Sequence, residues 1–154
     1  METSDVFLTD DGRQLALSQL EVLRTTKRAE VAQYLHDAKE AGDVIDNAAY
    51  EDARIEHARL EGRIYELEQM LGRAKPISRV NSDVVSLGSV LRLSTPDGKE
   101  YNYSIVGAFE AEVRAGRISN ESPVGQALLG HKVGDLVIAS TPGGVKEYTI
   151  LSIE

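Results

Sequence analysis

The sequence predicts an α+β protein, an N-terminal antiparallel two-helix coiled-coil hairpin followed by a small antiparallel sheet-plus-helix domain. Three observations predict it. Apolar residues in the first half recur at helical spacing over two long stretches without proline. The stretch that separates them, Gly42-Asp43-Val44-Ile45-Asp46-Asn47, is short and carries helix-ending punctuation in Gly42 and Asn47. After Pro76 the apolar period changes to two, with Gly- and Pro-containing turns between the runs. The expected divisions are a hairpin over 1–75, a linker over 76–86 and a second domain over 87–154.

The first helix is expected from about Gly12 to Ala41, capped by Thr9 with Asp10 and Asp11 near the positive end of its dipole. Its apolar positions are Leu20, Leu23, Val31, Tyr34, Leu35 and Ala38. The spacing slips between Leu23 and Val31, where Lys27 occupies the seam, as a stutter in a heptad pattern does. The second helix is expected from near Asn47 to Arg73. Its seam of Tyr50, Ala53, His57, Leu60, Ile64, Leu67 and Leu71 is spaced alternately three and four, the coiled-coil pattern. Arms of this length make a hairpin roughly 40–45 Å long at about 1.5 Å per residue.

In the second half, Ser89–Ser94 and Glu100–Val106 read as strands around Thr95-Pro96-Asp97-Gly98, with Tyr101, Tyr103 and Ile105 on one face. Ser122-Pro123 is a helix start, a capping serine followed by proline at the first helical position, and the helix Val124–Leu129 ends at Gly130. Val133–Ser140 and Val145–Ile153 are the last strands, around Thr141-Pro142-Gly143-Gly144. In the final strand Tyr148 and Ile150 are expected opposite Leu151 and Ile153.

Composition narrows the function. The 154 residues carry a net charge of −8, which argues against general binding to a phosphate backbone. There is no cysteine, hence no disulfide framework and no thiolate metal site. No run approaches the roughly 18 apolar residues of a membrane span, and Met1-Glu2-Thr3-Ser4-Asp5 does not read as a signal peptide. A bacterial cytoplasmic location and no membrane partner are therefore expected. His36, His57 and His131 have no partners at zinc spacing, and no nucleophile elbow, Walker loop or dinucleotide turn is present.

The segment from Asp37 to Glu56 holds Asp37, Glu40, Asp43, Asp46, Glu51, Asp52 and Glu56 against only Lys39 and Arg54. A solvated helix end is the simple reading of such a run. Yet Asp43 and Asp46 stand three residues apart in the connection, and the two residues between them, Val44 and Ile45, are apolar. Two such carboxylates can share a hard cation such as Mg²⁺, which takes one or two carboxylates and leaves its other positions to water or phosphate. The pair becomes useful where a second molecule already holds one metal and presents a phosphodiester.

The pattern Gly42-Asp43-x-x-Asp46-Asn47-Ala48-x-Tyr50 resembles the hairpin tip of the bacterial GreA/GreB transcript-cleavage factors, where Glu usually stands at the position of Asp46. The resemblance continues in Leu60-Glu61-Gly62-Arg63-Ile64-x-x-Leu67-Glu68 and Tyr103-x-Ile105-Val106-Gly107. It resumes in Ile118-Ser119-x-x-Ser122-Pro123, Ala127-Leu128-x-Gly130, Val133-Gly134-Asp135 and Thr141-Pro142-Gly143-Gly144. It covers nearly the whole chain in order, and the scarcity of clustered bases on the hairpin places it nearer the GreA branch.

The resemblance implies an FKBP-like second domain and a monomer that binds bacterial RNA polymerase. The hairpin would enter the secondary channel of a backtracked enzyme. There Asp43 and Asp46 would help hold a Mg²⁺ supplied in the polymerase active site, and the polymerase would cleave the backtracked RNA 3′ segment. Gly42, Asn47 and Tyr50 would support the tip, and Glu121, Ser122 and Pro123 would form the docking loop. Arg54, Arg59 and Arg63 are the candidates for RNA contact, with surface ion pairing as their simpler reading. Because Asp46 is one methylene shorter than Glu, a regulator that occupies the channel without promoting cleavage is the second reading.

Overall fold

The computed structural model describes residues 5–41, 48–77 and 83–154. In chain order the elements are β1 (Val6–Leu8), α1 (Asp10–Val22), a π-helical turn (Leu23–Lys27), α2 (Arg28–Glu40), α3 (Ala48–Arg73) and β2 (Ala74–Pro76). They continue with β3 (Val90–Ser94), β4 (Glu100–Val106), two 3-10 turns (Ala108–Glu110 and Val113–Ala115), β5 (Arg117–Ser119), α4 (Pro123–Leu128), β6 (Leu136–Thr141) and β7 (Gly144–Ile153). The chain divides into two compact units, Arg13–Arg73 and Met1–Gly12 with Ala74–Glu154.

The first unit is the helical hairpin, in which α2 packs against α3. The expected seam of α3 buries Ala53, Leu60, Ile64 and Leu67, and Ala38 is buried on α2. His57 differs from the expectation: it sits at seam spacing but is exposed, as suits an imidazole whose nitrogens need water or a polar partner. The slip between Leu23 and Val31 takes the form of a π-helical turn. The Arg28 N–H bonds to the Leu23 carbonyl, five residues back. Thr25 contributes to the cause, since its hydroxyl donates to the Glu21 carbonyl at 2.8 Å, the acceptor that its own N–H would use in an α-helix.

Among the described residues the second unit holds two sheets. The larger has the strand order β5-β4-β3-β7-β6. It is antiparallel except at its edge, where β5 runs parallel to β4 with Ile105 opposite Ile118. That edge makes the sheet mixed rather than wholly antiparallel. Leu91, Leu93, Ile105, Ile118, Leu128, Val137, Tyr148, Ile150 and Ile153 form one core between this sheet and α4. Ile153 was expected on the opposite face from Ile150. The register runs Leu93 to Ile150 and Arg92 to Ser152, so Leu151 is a bulged extra residue. One inserted residue inverts the alternation beyond it, which turns Ile153 inward and leaves Leu151 exposed.

The smaller sheet has no counterpart among the strands expected from the sequence: β1 pairs parallel with β2, Phe7 opposite Lys75. Beyond it Ile77 N donates to Leu8 O at 3.0 Å. The end of the expected linker also joins the fold, since Val85 is buried in the core and its N–H reaches His131 O at 2.8 Å.

Candidate functional site

Gly42, Asp43, Asp46 and Asn47 lie outside the described residues, which resume at Ala48. The helices that flank them are described. Ala41 N bonds to Asp37 O at 3.0 Å and closes α2. Tyr50, on the first turn of α3, is half-buried, and the Lys39 ammonium of the facing arm lies 6.0 Å from its ring centroid. That is the outer range of a cation–π contact and ties the two arms together beside the connection.

Arg54, Arg59 and Arg63 each reach an acid three residues away on the same helix. Arg54 pairs with Glu51 at 3.3 Å, Arg59 with Glu56 at 2.7 Å and Arg63 with Glu66 at 3.4 Å. All six side chains are largely exposed, so the pairs are weak and exchangeable. Arg24 and Arg28, which no sequence pattern singles out, instead reach across the hairpin to Glu68 and Glu61. The Arg28–Glu61 pair is a two-bond fork, both bonds at 2.9 Å. It raises the guanidinium pKa and holds the Glu61 carboxyl below its ordinary value, each mainly through the shared side-chain hydrogen bond.

The loop from Ser119 to Pro123 is built by its own hydrogen bonds. The Ser122 hydroxyl donates to Ser119 O at 2.7 Å and accepts from Gly125 N at 3.1 Å, capping α4. The Ser119 hydroxyl accepts from Glu121 N at 3.0 Å. A Cβ on Gly125 would lie 2.0 Å from Ser119 O, so the loop fits only against glycine. The result is a fixed corner from which the side chains of Glu121 and Pro123 are exposed, while Ser122 is spent on the cap. The sequence motif groups the three residues; the hydrogen bonds separate two presenting side chains from one that supports them.

Among the described residues no group of three or more His, Cys, Asp or Glu is placed to hold a metal ion. His131 Nδ1 lies 3.1 Å from Asp135, whose carboxylate also accepts from Lys132 N at 2.9 Å. Those bonds, the backbone one first, lower the Asp135 pKa and close a turn. No helix among the described residues is long and apolar enough to cross a membrane.

A coiled-coil hairpin in one unit, with a mixed sheet and, among the described residues, the short α-helix α4 in the other, defines a two-part helical-hairpin protein. Residues 6–75 match the family described as "Transcription elongation factor, N-terminal", and residues 80–154 match "Transcription elongation factor, GreA/GreB, C-term". The chain is 45% identical over 152 residues to the transcription elongation factor GreA of Acetivibrio thermocellus, covering 97% of this chain and 96% of that one. It is 41% identical over 150 residues to GreA of Halalkalibacterium halodurans, covering 96% and 95%. The solved structure of GreA factor homolog 1 of Thermus thermophilus is 36% identical, covers 98% of this chain and 99% of its own, and superposes with a TM-score of 0.45. The chain belongs to the GreA/GreB family of transcription elongation factors.

Proposed function

We propose that this elongation factor binds bacterial RNA polymerase, inserts the end of its hairpin into the secondary channel and stimulates cleavage of backtracked RNA by the polymerase's own active site. The chain is then a factor and not itself an enzyme. The observation that carries the reading is the pair Asp43 and Asp46 in the family pattern Gly42-Asp43-x-x-Asp46-Asn47-Ala48-x-Tyr50, at the connection between two long arms.

The donor set suits the chemistry, because two carboxylates are the ligands a hard cation accepts while keeping positions for water and phosphate. Mg²⁺ held in the polymerase would supply charge neutralisation and an activated water at the scissile phosphodiester. Asp43 and Asp46 would contribute negative charge and orient that water. Gly42, Asn47 and Tyr50 would set the height and angle of the two acids. Glu121 and Pro123, exposed on the fixed corner before α4, would dock the second unit on the polymerase.

Leu60, Ile64 and Leu67 of the hairpin seam are buried within one chain, which supports action as a monomer. Arg54, Arg59 and Arg63 are better read as partners of Glu51, Glu56 and Glu66 than as RNA ligands.

The test is incubation with a stalled, backtracked polymerase complex and Mg²⁺, followed by sizing of the RNA. Shortened RNA that depends on the factor is the expected result. A factor that binds the complex and leaves the RNA intact would instead be a channel-blocking regulator, the reading favoured by the shorter side chain of Asp46.

A further inference from the structure

The hairpin has a weak place in its seam. Over the π-turn Leu23–Lys27 no residue is fully buried and only Leu23 is half-buried, so the side-chain interlocking that fixes the level of one helix against another is reduced there. On the facing arm, Ile64 and Leu67 are 2% and 1% exposed, among the best-buried residues of α3. Smooth apolar surface resists separation but not sliding.

Two cross-hairpin pairs flank this place. Arg24 reaches Glu68, and Arg28 reaches Glu61 through two bonds of 2.9 Å. The arginines are four residues apart, no more than about 6 Å along the axis, whereas the glutamates are one heptad apart, about 10.5 Å. The two guanidinium groups therefore diverge, one leaning toward the base of the hairpin and the other toward its end. Restraints that pull in opposite axial directions define a level. Sliding either way lengthens one pair as it slackens the other.

We propose that the π-turn and the diverging pairs Arg24–Glu68 and Arg28–Glu61 form a register lock, which sets how far one arm stands forward of the other where they meet the carboxylate-bearing connection. The lock depends on the polymerase reading for its purpose, though not for its geometry. These are positioning residues, remote from Asp43 and Asp46 in sequence.

The test uses the full chain. It has no cysteine, so nitroxide labels at Ala32→Cys and Ala58→Cys, both exposed, report on the arms without background. Arg24→Glu with Arg28→Glu should shift or broaden the label distance by about 5 Å, one helical turn. It should also lower stimulated cleavage at least about tenfold, since even a misplacement of about 1 Å is costly. Helical content and polymerase affinity should stay at wild-type levels. Adding Glu61→Arg and Glu68→Arg should restore both distance and cleavage. The milder Arg24→Gln with Arg28→Gln should broaden the distance without like-charge repulsion.

An unchanged distance in both the Glu and Gln variants overturns the lock. A changed distance with full cleavage overturns its positioning role. Deletion of Thr26 should convert the π-turn to α-helix, checked by the label distance, and lower cleavage at unchanged affinity; full activity would remove the turn from the device. If the wild-type protein stimulates no cleavage, the cleavage reading fails, and the label distance alone still decides whether the lock exists.

Discussion

Thr9 and Glu110 are joined although 101 positions separate them in the chain. Thr9 N donates to Glu110 Oε2 at 2.8 Å, and the Thr9 hydroxyl bonds to Glu110 Oε1 while accepting from Gly12 N at 3.0 Å. The threonine caps α1 and the buried glutamate caps the threonine. Losing a partner to such a buried group costs about 1–3 kcal/mol, and losing a helix cap about 1 kcal/mol. Glu110→Ala and Thr9→Ala should each destabilise by amounts in these ranges, with the double variant less than additive, measured by urea unfolding. A Cβ on Gly12 would lie 2.1 Å from Glu110 Cδ, so Gly12→Ala should displace the carboxylate and match Glu110→Ala in cost.

The corner before α4 should separate binding from folding. Glu121→Ala and Pro123→Ala remove exposed side chains and should weaken polymerase affinity about tenfold or more, with cleavage recovered at saturating factor. Ser122→Ala removes a cap and should instead lower thermal stability, by about 1 kcal/mol. Wild-type affinity in both Glu121→Ala and Pro123→Ala would show that the polymerase contacts another face.

For the hairpin end, Asp43→Asn and Asp46→Asn keep shape and remove charge. Each should abolish most stimulated cleavage, a loss of about 100-fold, with affinity unchanged. Asp46→Glu adds one methylene, about 1.5 Å of reach, and should retain activity. Cleavage rates against Mg²⁺ concentration decide the matter. An inactive wild type beside an active Asp46→Glu would mark the protein as a channel blocker.

Tyr148 offers a pH test of the second unit. Burial, and then its neighbour Tyr103, push its phenol up from 10.0 to about 12. A folded-state value above the unfolded one means that this contribution to stability is complete below pH 10 and is lost as pH rises toward 12. The protein should therefore lose stability across that alkaline window, and Tyr148→Phe should lose less. Absorbance titration of the phenolates, compared between the two proteins, measures it directly.

The long elements were legible in the sequence because their signals are repeated many times. Leu60, Ile64 and Leu67 recur at seam spacing, and their burial follows. The slip at Lys27 marked where the helix changes, but spacing alone does not distinguish a stutter from a π-turn; the hydroxyl of Thr25 on the Glu21 carbonyl is a three-dimensional detail. Strands of three residues such as Val6–Leu8, Ala74–Pro76 and Arg117–Ser119 are too short for a period to emerge, and Pro76 argues against a strand by composition. The bulge at Leu151 inverted the facing of Ile153 because one inserted residue leaves no mark in the composition. For the site, the pattern around Asp43 and Asp46 was read as a motif, and the capping role of Ser122 was read from its proline. What could not be read was Glu110, a lone acid whose partner is near the other end of the chain.

The parallel pairing of Val6–Leu8 with Ala74–Pro76 changes how the chain should be parsed. Neighbouring strands lie about 4.8 Å apart, so the polypeptide leaves and rejoins its second unit through one narrow doorway. The hairpin is in that sense a cassette spliced into a host unit whose chain runs on both sides of it. Lengthening or trimming the arms by matched heptads should then leave the doorway undisturbed. A host cut at residue 75 forfeits the smaller sheet, the Leu8 side chain and the Thr9 partner of Glu110 together. Swapping cassettes between relatives should succeed with junctions inside the helices, after Gly12 and before Ala74, and should fail with junctions drawn at the start of the chain.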